Sequence, residues 1–327
     1  MPTQSDPFPL RRALLVAFVV VLAVAAMMTY GQFQRDIAAA YQRIESGSTM
    51  VETDCGPIEY ARVGDGAPVL LAHGAGGGFD QGLDFGRDLA ALGVEIIAVS
   101  RFGYLRSPLP EDASPAAQAD TYACLLDALD LTQVSVLGAS AGTPSALQFA
   151  LRHPDRIAAL MLLAPVAYQP HKEGAVAVQP PDWVLLLSAT VLQSDFLMWA
   201  TQRLMGETLL KSLLATPPEQ VAAADPEEQA RAATMLSHIL PVRPRRHGLL
   251  NDGRILMAIE PYPLYQIRAP TLLISARDDG YGSYDIARYM QAEIPGAELL
   301  DLPDGGHLWI GHHQQVVSAI SDFVQSR

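Results

Sequence analysis

One stretch limits the folds open to this chain more than any other. Val134-Ser135-Val136-Leu137 is an apolar, β-branched run of the kind that fills a buried strand. It stops at Gly138-Ala139-Ser140-Ala141-Gly142, and a helical pattern over residues 145–152 follows almost without a loop. A turn that sharp brings strand and helix so close that Gly138 and Gly142 stand where a Cβ would obstruct. Pro144 suits a first helical turn, whose N–H has no intrahelical partner to lose. The stretch is therefore a G-x-S-x-G pattern that holds the Ser140 hydroxyl at the tip of a strained strand-to-helix turn. Alone, the pentapeptide also fits an ordinary βα turn with an incidental serine, so the rest of the chain decides.

Residues 68–72, 94–99, 157–163 and 271–275 are continuous apolar runs that read as strands buried on both faces. Helical patterns lie between them at 86–92, 115–129 and 145–152. Residues 51–53 and 58–63, punctuated by Gly-Pro and Gly-Asp-Gly, predict an opening β-hairpin. This alternation predicts an α/β fold, a mostly parallel sheet with helices on both faces. Ligands of such sheets sit at the carboxyl ends of the strands, where the serine turn falls. The alternation lapses over 167–246, which is helical in pattern. That divides the chain into a core of 51–166 and 247–327 and a helical cap of 167–246 over the strand ends. The apolar clusters Trp183-Val184-Leu185-Leu186-Leu187 and Phe196-Leu197-Met198-Trp199 are expected to pack the cap onto the core, with a pocket lining as the alternative.

Before the core, residues 13–28 carry no charge, and with 29–33 the run reaches about 20 residues, enough to span a bilayer as a helix. Arg11 and Arg12 precede it, so the positive-inside rule keeps the N-terminus cytoplasmic and sends the remainder out. Residues 1–33 are thus expected to be a signal-anchor, and 34–50 a polar, helical connector. A cleaved secretory signal is the alternative, because Ala23-Val24-Ala25 offers a small-residue cleavage pattern. The net charge of −13 excludes nucleic acid or an anionic membrane surface as a partner held by charge. Cys55 and Cys124 are too few for a cysteine zinc site or a disulfide scaffold. Unpaired thiols are expected of them, a single disulfide being the alternative in an oxidising compartment.

A serine nucleophile needs a base, an orienting acid and donors for the oxyanion. His73-Gly74-Ala75-Gly76-Gly77-Gly78 follows the 68–72 run directly. Its backbone N–H groups at Ala75 and Gly76, with that of Ala141 after the serine, are the candidate oxyanion donors. A phosphate loop fails in detail, since no Gly-Lys-Ser/Thr follows. His73 is expected to brace the loop. The candidate base is His307, which stands after Asp304-Gly305-Gly306 just past the apolar run 297–302. His312 and His313 are expected on a helix surface and His153 at a helix end. His171, His238 and His247 show no carboxylate-rich surroundings that would suggest a metal. Asp279 is the candidate acid, with Asp278 in reserve, in the loop after 271–275. No metal or organic cofactor is expected.

These residues carry a resemblance. From about Val51 onward, roughly five-sixths of its length, the chain resembles the α/β-hydrolase superfamily, in particular its capped esterases and carbon–carbon bond hydrolases. The matching segments are His73-Gly74-Ala75-Gly76, Arg101-Phe102-Gly103-Tyr104 through Ser107, Gly138-Ala139-Ser140-Ala141-Gly142, His153-Pro154-Asp155-Arg156, Ala276-Arg277-Asp278-Asp279 and Gly305-Gly306-His307. The chain order Ser140, Asp279, His307 is that of the superfamily, and the resemblance places the acid at Asp279. It implies a serine hydrolase acting on a small, apolar carboxylic ester through an acyl-enzyme. Amide hydrolysis, carbon–carbon cleavage and a slow or inert ligand-binding receptor are the alternatives. The chain departs from its relatives at Ser100, where many carry Asp, and at Gly282-Ser283, where many carry proline. The loop after His73 also lacks the Gly-Gly-Pro-Gly form of proline iminopeptidases, which counts against peptidase specificity.

Overall fold

The structure, a computed structural model, describes residues 8–170 and 190–327. It begins with helix α1 (Phe8–Glu45), which runs unbroken from the predicted anchor through most of the predicted connector. Side chains from residue 11 to residue 30 are exposed along it. Beyond them Phe33, Ile37, Ala40 and Ile44 recur at helical spacing and are buried. The connector is therefore an amphipathic helix that packs on the body.

The hairpin β1 (Thr49–Thr53) and β2 (Gly56–Val63) comes next and opens an eight-stranded sheet. The other strands are β3 (Ala67–Ala72), β4 (Val94–Val99), β5 (Val134–Ala139), β6 (Ile157–Leu163), β7 (Thr271–Ala276) and β8 (Glu298–Leu302). Their spatial order is β1-β2-β4-β3-β5-β6-β7-β8. β1, β2 and β4 pair antiparallel and every later pair is parallel. β7 is buried at all six positions, which is why the parallel strands read as continuous apolar runs and not as alternating ones.

Helices α3 (Pro115–Ala128), α4 (Thr143–Arg152) and α9 (Ser283–Glu293) cover one face, burying Leu125, Phe149 and Met290 against it. Helices α2 (Phe79–Ala90) and α10 (His313–Gln325) cover the other through Phe79, Leu89, Val316 and Ile320. α2 starts seven residues before the helix predicted from residue 86. Its glycines hid it, yet they are what presses it onto the sheet, because a Cβ on Gly82 would lie 2.7 Å from that of Ala98.

Between β6 and β7 the described residues form helices α5 (Asp195–Ser212), α6 (Pro218–Ala223), α7 (Pro226–Ser237) and α8 (Arg246–Met257). The cluster at 183–187 lies outside the described residues. The cluster at 196–199 takes a partner other than the expected core. Met198 and Trp199 are buried with Phe33 and Ile37 of α1, and the Phe33 ring meets that of Trp199 at 5.6 Å. An apolar stripe in the sequence specifies burial but names no partner, and α1 supplies one here.

The expectation of unpaired thiols is also corrected. Cys55 sits on the β1–β2 turn and Cys124 on α3, which packs on that hairpin, and the two form a disulfide with Cα atoms 6.0 Å apart. Tertiary packing joins residues 69 apart in sequence, a proximity that no local spacing signals. A loop of that length is worth up to about 4 kcal/mol in the chain-entropy account. Cys55→Ala is expected to lower the urea unfolding free energy by roughly 2–4 kcal/mol, and an unchanged midpoint would show the bridge to be dispensable.

Candidate active site

The two central parallel strands end side by side, with Ala72 of β3 in register with Gly138 of β5. The glycine-rich loop and the serine turn therefore leave the sheet together. A Cβ on Gly142 would lie 2.2 Å from the Ala72 carbonyl oxygen, and one on Gly138 would lie 2.7 Å from the Ala146 Cβ. Ser140 occupies the left-handed region at φ 47°, a strained position for a residue with a side chain. α4 then starts with Pro144 in its first turn.

His307 reaches this turn from the loop after β8. Its Nε2 is 2.9 Å from Ser140 Oγ and its Nδ1 is 2.7 Å from Asp279 Oδ2. Asp279 is buried at the end of β7, where it also accepts from the Tyr281 N–H at 2.8 Å and from the Ser283 hydroxyl. Burial alone would raise the Asp279 pKa, but the bonds from His307, Ser283 and Tyr281 outweigh it and hold the carboxyl below its usual range. A carboxylate facing Nδ1 places the ring proton there and leaves the Nε2 lone pair toward Ser140. Asp278, the reserve acid, points elsewhere. It accepts from the Gly306 N–H at 2.9 Å and from Gln220 Nε2 at 2.6 Å, tying the histidine loop to α6.

Around the glycine-rich loop lies a buried polar network. His73 Nδ1 is 2.7 Å from the Gly74 carbonyl, and its Nε2 accepts from the Arg101 N–H at 3.1 Å. Burial and the Arg101 charge hold its pKa well below the usual value, so it is a neutral brace. Arg101 donates to both Asp252 oxygens at 2.7 Å and to the His73 carbonyl at 2.8 Å. Tyr104 donates to Asp252 at 2.5 Å and accepts from the Gly76 N–H at 3.2 Å. Of the three expected oxyanion donors, the single N–H of Gly76 is thus already bonded to Tyr104. Arg245, fully buried, binds the Gly77 carbonyl at 2.5 Å and both oxygens of Asp80. Arg43 of α1 meets the same Asp80 at 3.1 Å.

Sequence reasoning passed over Tyr104, Asp252, Arg245 and Ser283, because a buried polar partner is defined by tertiary contact. The two departures from the relatives were the available signal. Ser100 hands its hydroxyl to Glu59 of β2 at 2.8 Å, so a neighbouring strand delivers a carboxylate beside the vacated position. Ser283 supplies the acid with a donor that proline lacks. His313, expected on a surface, is buried, with its Nε2 2.7 Å from Asp88 Oδ2 and its ring beside Phe85. His312 bonds Asp304 at 2.8 Å, His153 caps α4 and bonds Asp120 at 2.8 Å, and His238 pairs with Asp84. His171 lies outside the described residues. Among the described residues no group of three or more His, Cys, Asp and Glu side chains is placed to hold a metal ion. A mostly apolar cavity of about 250 Å³ adjoins the serine turn through Ala139, between Leu137, Leu163, Phe85, Met235 and Trp309.

Comparison with known proteins identifies the family. Residues 67–311 match the alpha/beta hydrolase fold family, and the chain belongs to it. It is 31% identical to the alpha/beta hydrolase fold protein from Nakamurella multipartita, with a TM-score of 0.67 over 85% of this chain and 99% of that one. It is 29% identical over 270 residues to an uncharacterized hydrolase, YcgS, of Bacillus subtilis, spanning 79% of this chain and 91% of the relative. A 2-hydroxy-6-oxononadienedioate/2-hydroxy-6-oxononatrienedioate hydrolase of Paraburkholderia xenovorans is 29% identical over 279 residues, 82% of this chain and 88% of that one.

The buried pair under the loop generates a pH prediction. Burial alone would raise the Asp80 pKa, but Arg245 and Arg43 pull it from the ordinary 3.8 to about 2. A depressed carboxylate stabilises the fold above its unfolded pKa and loses that contribution as pH falls toward the folded one. Roughly 2 kcal/mol is at stake at neutral pH. The stability difference between wild type and Asp80→Asn is expected to shrink by about that amount from pH 7 to pH 2. A pH-independent difference in urea titrations would contradict this.

Proposed function

We propose that the chain is a serine hydrolase that cleaves a small, apolar carboxylic ester through an acyl-enzyme. The observation that carries this reading is the continuous line from Asp279 through His307 to Ser140, with bonds of 2.7 and 2.9 Å. Ser140 Oγ attacks the ester carbonyl while His307 Nε2 takes its proton, and the Asp279 carboxylate stabilises the imidazolium. The carbonyl oxygen, now an oxyanion, accepts from the Ala75 and Ala141 N–H groups, each worth roughly 3–4 kcal/mol of barrier. His307 then returns the proton to the leaving alkoxide. A water, deprotonated by the same nitrogen, releases the acid and restores Ser140. The apolar cavity beside the turn supports an apolar acyl or alcohol group.

Carbon–carbon bond hydrolysis is the second reading, favoured by the similarity to the oxononadienedioate hydrolase. A fluorophosphonate is expected to label wild type and to leave Ser140→Ala unlabelled. His307→Ala is expected to lower kcat on short p-nitrophenyl esters by about a hundred- to ten-thousandfold. Labelling that persists in Ser140→Ala sinks the serine mechanism. Turnover of hydroxy-oxo-dienedioates but not of esters selects the second reading.

We infer further that α1 anchors the protein in a membrane, with the body on the side away from the cytoplasm. Its 35 residues from Arg11 to Glu45 contain a window of mean hydropathy 2.6 with none of it buried. A disulfide in the body suits an oxidising compartment. The intact mass of the mature protein checks this, since loss of the first 25 or so residues would mean a cleaved signal.

A further inference from the structure

One apolar side of α5 packs on none of the described residues. α5 meets α1 through Asp195, Phe196, Trp199 and Arg203, with Asp195 accepting from the Tyr41 hydroxyl at 2.9 Å. The Phe196 ring lies 5.1 Å from that of Phe33, while Trp199 Nε1 and Arg203 bind Asp36 at 2.8 and 2.7 Å. Tyr41 marks the contact deepest in the body, and Trp199 and Arg203 also line a cavity with Met27 and Met28, so α5 lies beside the end of the uncharged run of α1. A second stripe of α5 faces inward, with Met198 buried alongside Leu236 and Ile239 and Gln202 donating to the Leu236 carbonyl at 2.7 Å. Those inner partners meet α1 farther along, where Arg43 donates to the Leu240 carbonyl. Leu197 and Leu204, seven residues apart and therefore on one face, belong to neither stripe.

That face is unusually bare. Leu204 is 83% exposed, and Phe196, Leu197 and Met205 are exposed beside it. Its height on α1 fits a membrane surface. Twenty residues counted from Ala13 end at Gln32, about 30 Å at 1.5 Å per residue, which is the thickness of a hydrocarbon core. The Phe33–Asp36 turn that α5 meets then falls in the headgroup layer. From this we propose that α5 rests against the bilayer that α1 crosses, with Leu197 and Leu204 at the boundary between headgroups and acyl chains. The proposal rests on the reading of α1 as a retained anchor.

The test uses the full-length chain in phosphatidylcholine vesicles whose acyl chains carry a nitroxide close to the headgroup. Both native cysteines are in the disulfide, so Leu204→Cys adds one thiol for a bimane label. Leu197→Cys serves as a second site should the first perturb folding. Val20→Cys, near the bilayer centre, reports on the α1 span in vesicles whose nitroxide sits near the acyl-chain end. Leu92→Cys, exposed at the amino edge of β4, reports on the far end of the sheet. Bimane at 204 and 197 is expected to lose severalfold more emission to the lipid nitroxide than bimane at 92. Quenching at 20 with 204 and 197 matching 92 overturns the proposal and leaves the anchor standing. No quenching at 20 overturns the anchor reading and the proposal with it. Shielding of 204 from both lipid nitroxide and aqueous iodide would mean that a second copy covers the face, which also overturns it.

Discussion

The lack of room at Gly142 is the constraint on which the rest of the site depends. The Ala72 carbonyl lies where a side chain on that residue would begin. Only that approach lets β3 and β5 end in register and release the glycine-rich loop and the serine turn at one point above the sheet. The strained φ of Ser140 follows from the same crossing. Such strain persists where surrounding packing over-determines it, and here Gly138 against Ala146 and Pro144 at the start of α4 do so. The hydroxyl is held by backbone geometry before any substrate arrives.

Charge is managed around that point by substitution of position. The site rests on buried carboxylates, each met by more than one donor. Asp252 is shared by Arg101 and Tyr104, Asp80 by Arg245 and Arg43, and Asp279 by His307, Ser283 and the Tyr281 N–H. A buried anion with several donors is costly to displace, because each partner removed leaves desolvated charge behind. Glu59 belongs to the same set. It comes from β2, yet it serves Ser100 at the end of β4, and it also receives Arg106 at 2.7 Å. The local requirement is for a carboxylate in that place, whichever strand carries it.

This explains what could be read without coordinates. Continuous apolar runs announce the parallel strands because both their faces are buried, and a turn of small residues announces the elbow. Ser140, Asp279 and His307 stand at strand ends and were legible from that placement. α2 was read short, because helix propensity counts Gly82 and Gly86 as breakers while the sheet needs them for contact. The disulfide and the Tyr104–Gly76 bond were invisible, each joining residues far apart in the chain. The partner of Trp199 was equally hidden, since an amphipathic pattern specifies a buried face without saying what buries it.

The unbroken course of α1 has a mechanical consequence. A tether of glycine and serine would let the body tumble at the end of a leash. Here the helix passes without a joint from its exposed apolar length into the packed core, and Arg43 near its end grips the Asp80 that pairs with Arg245, which in turn holds the Gly77 carbonyl of the glycine-rich loop. Embedded as proposed, α1 would act as an axle: the serine would keep one altitude and one tilt above the lipid surface. Its search for substrate would be confined to two dimensions.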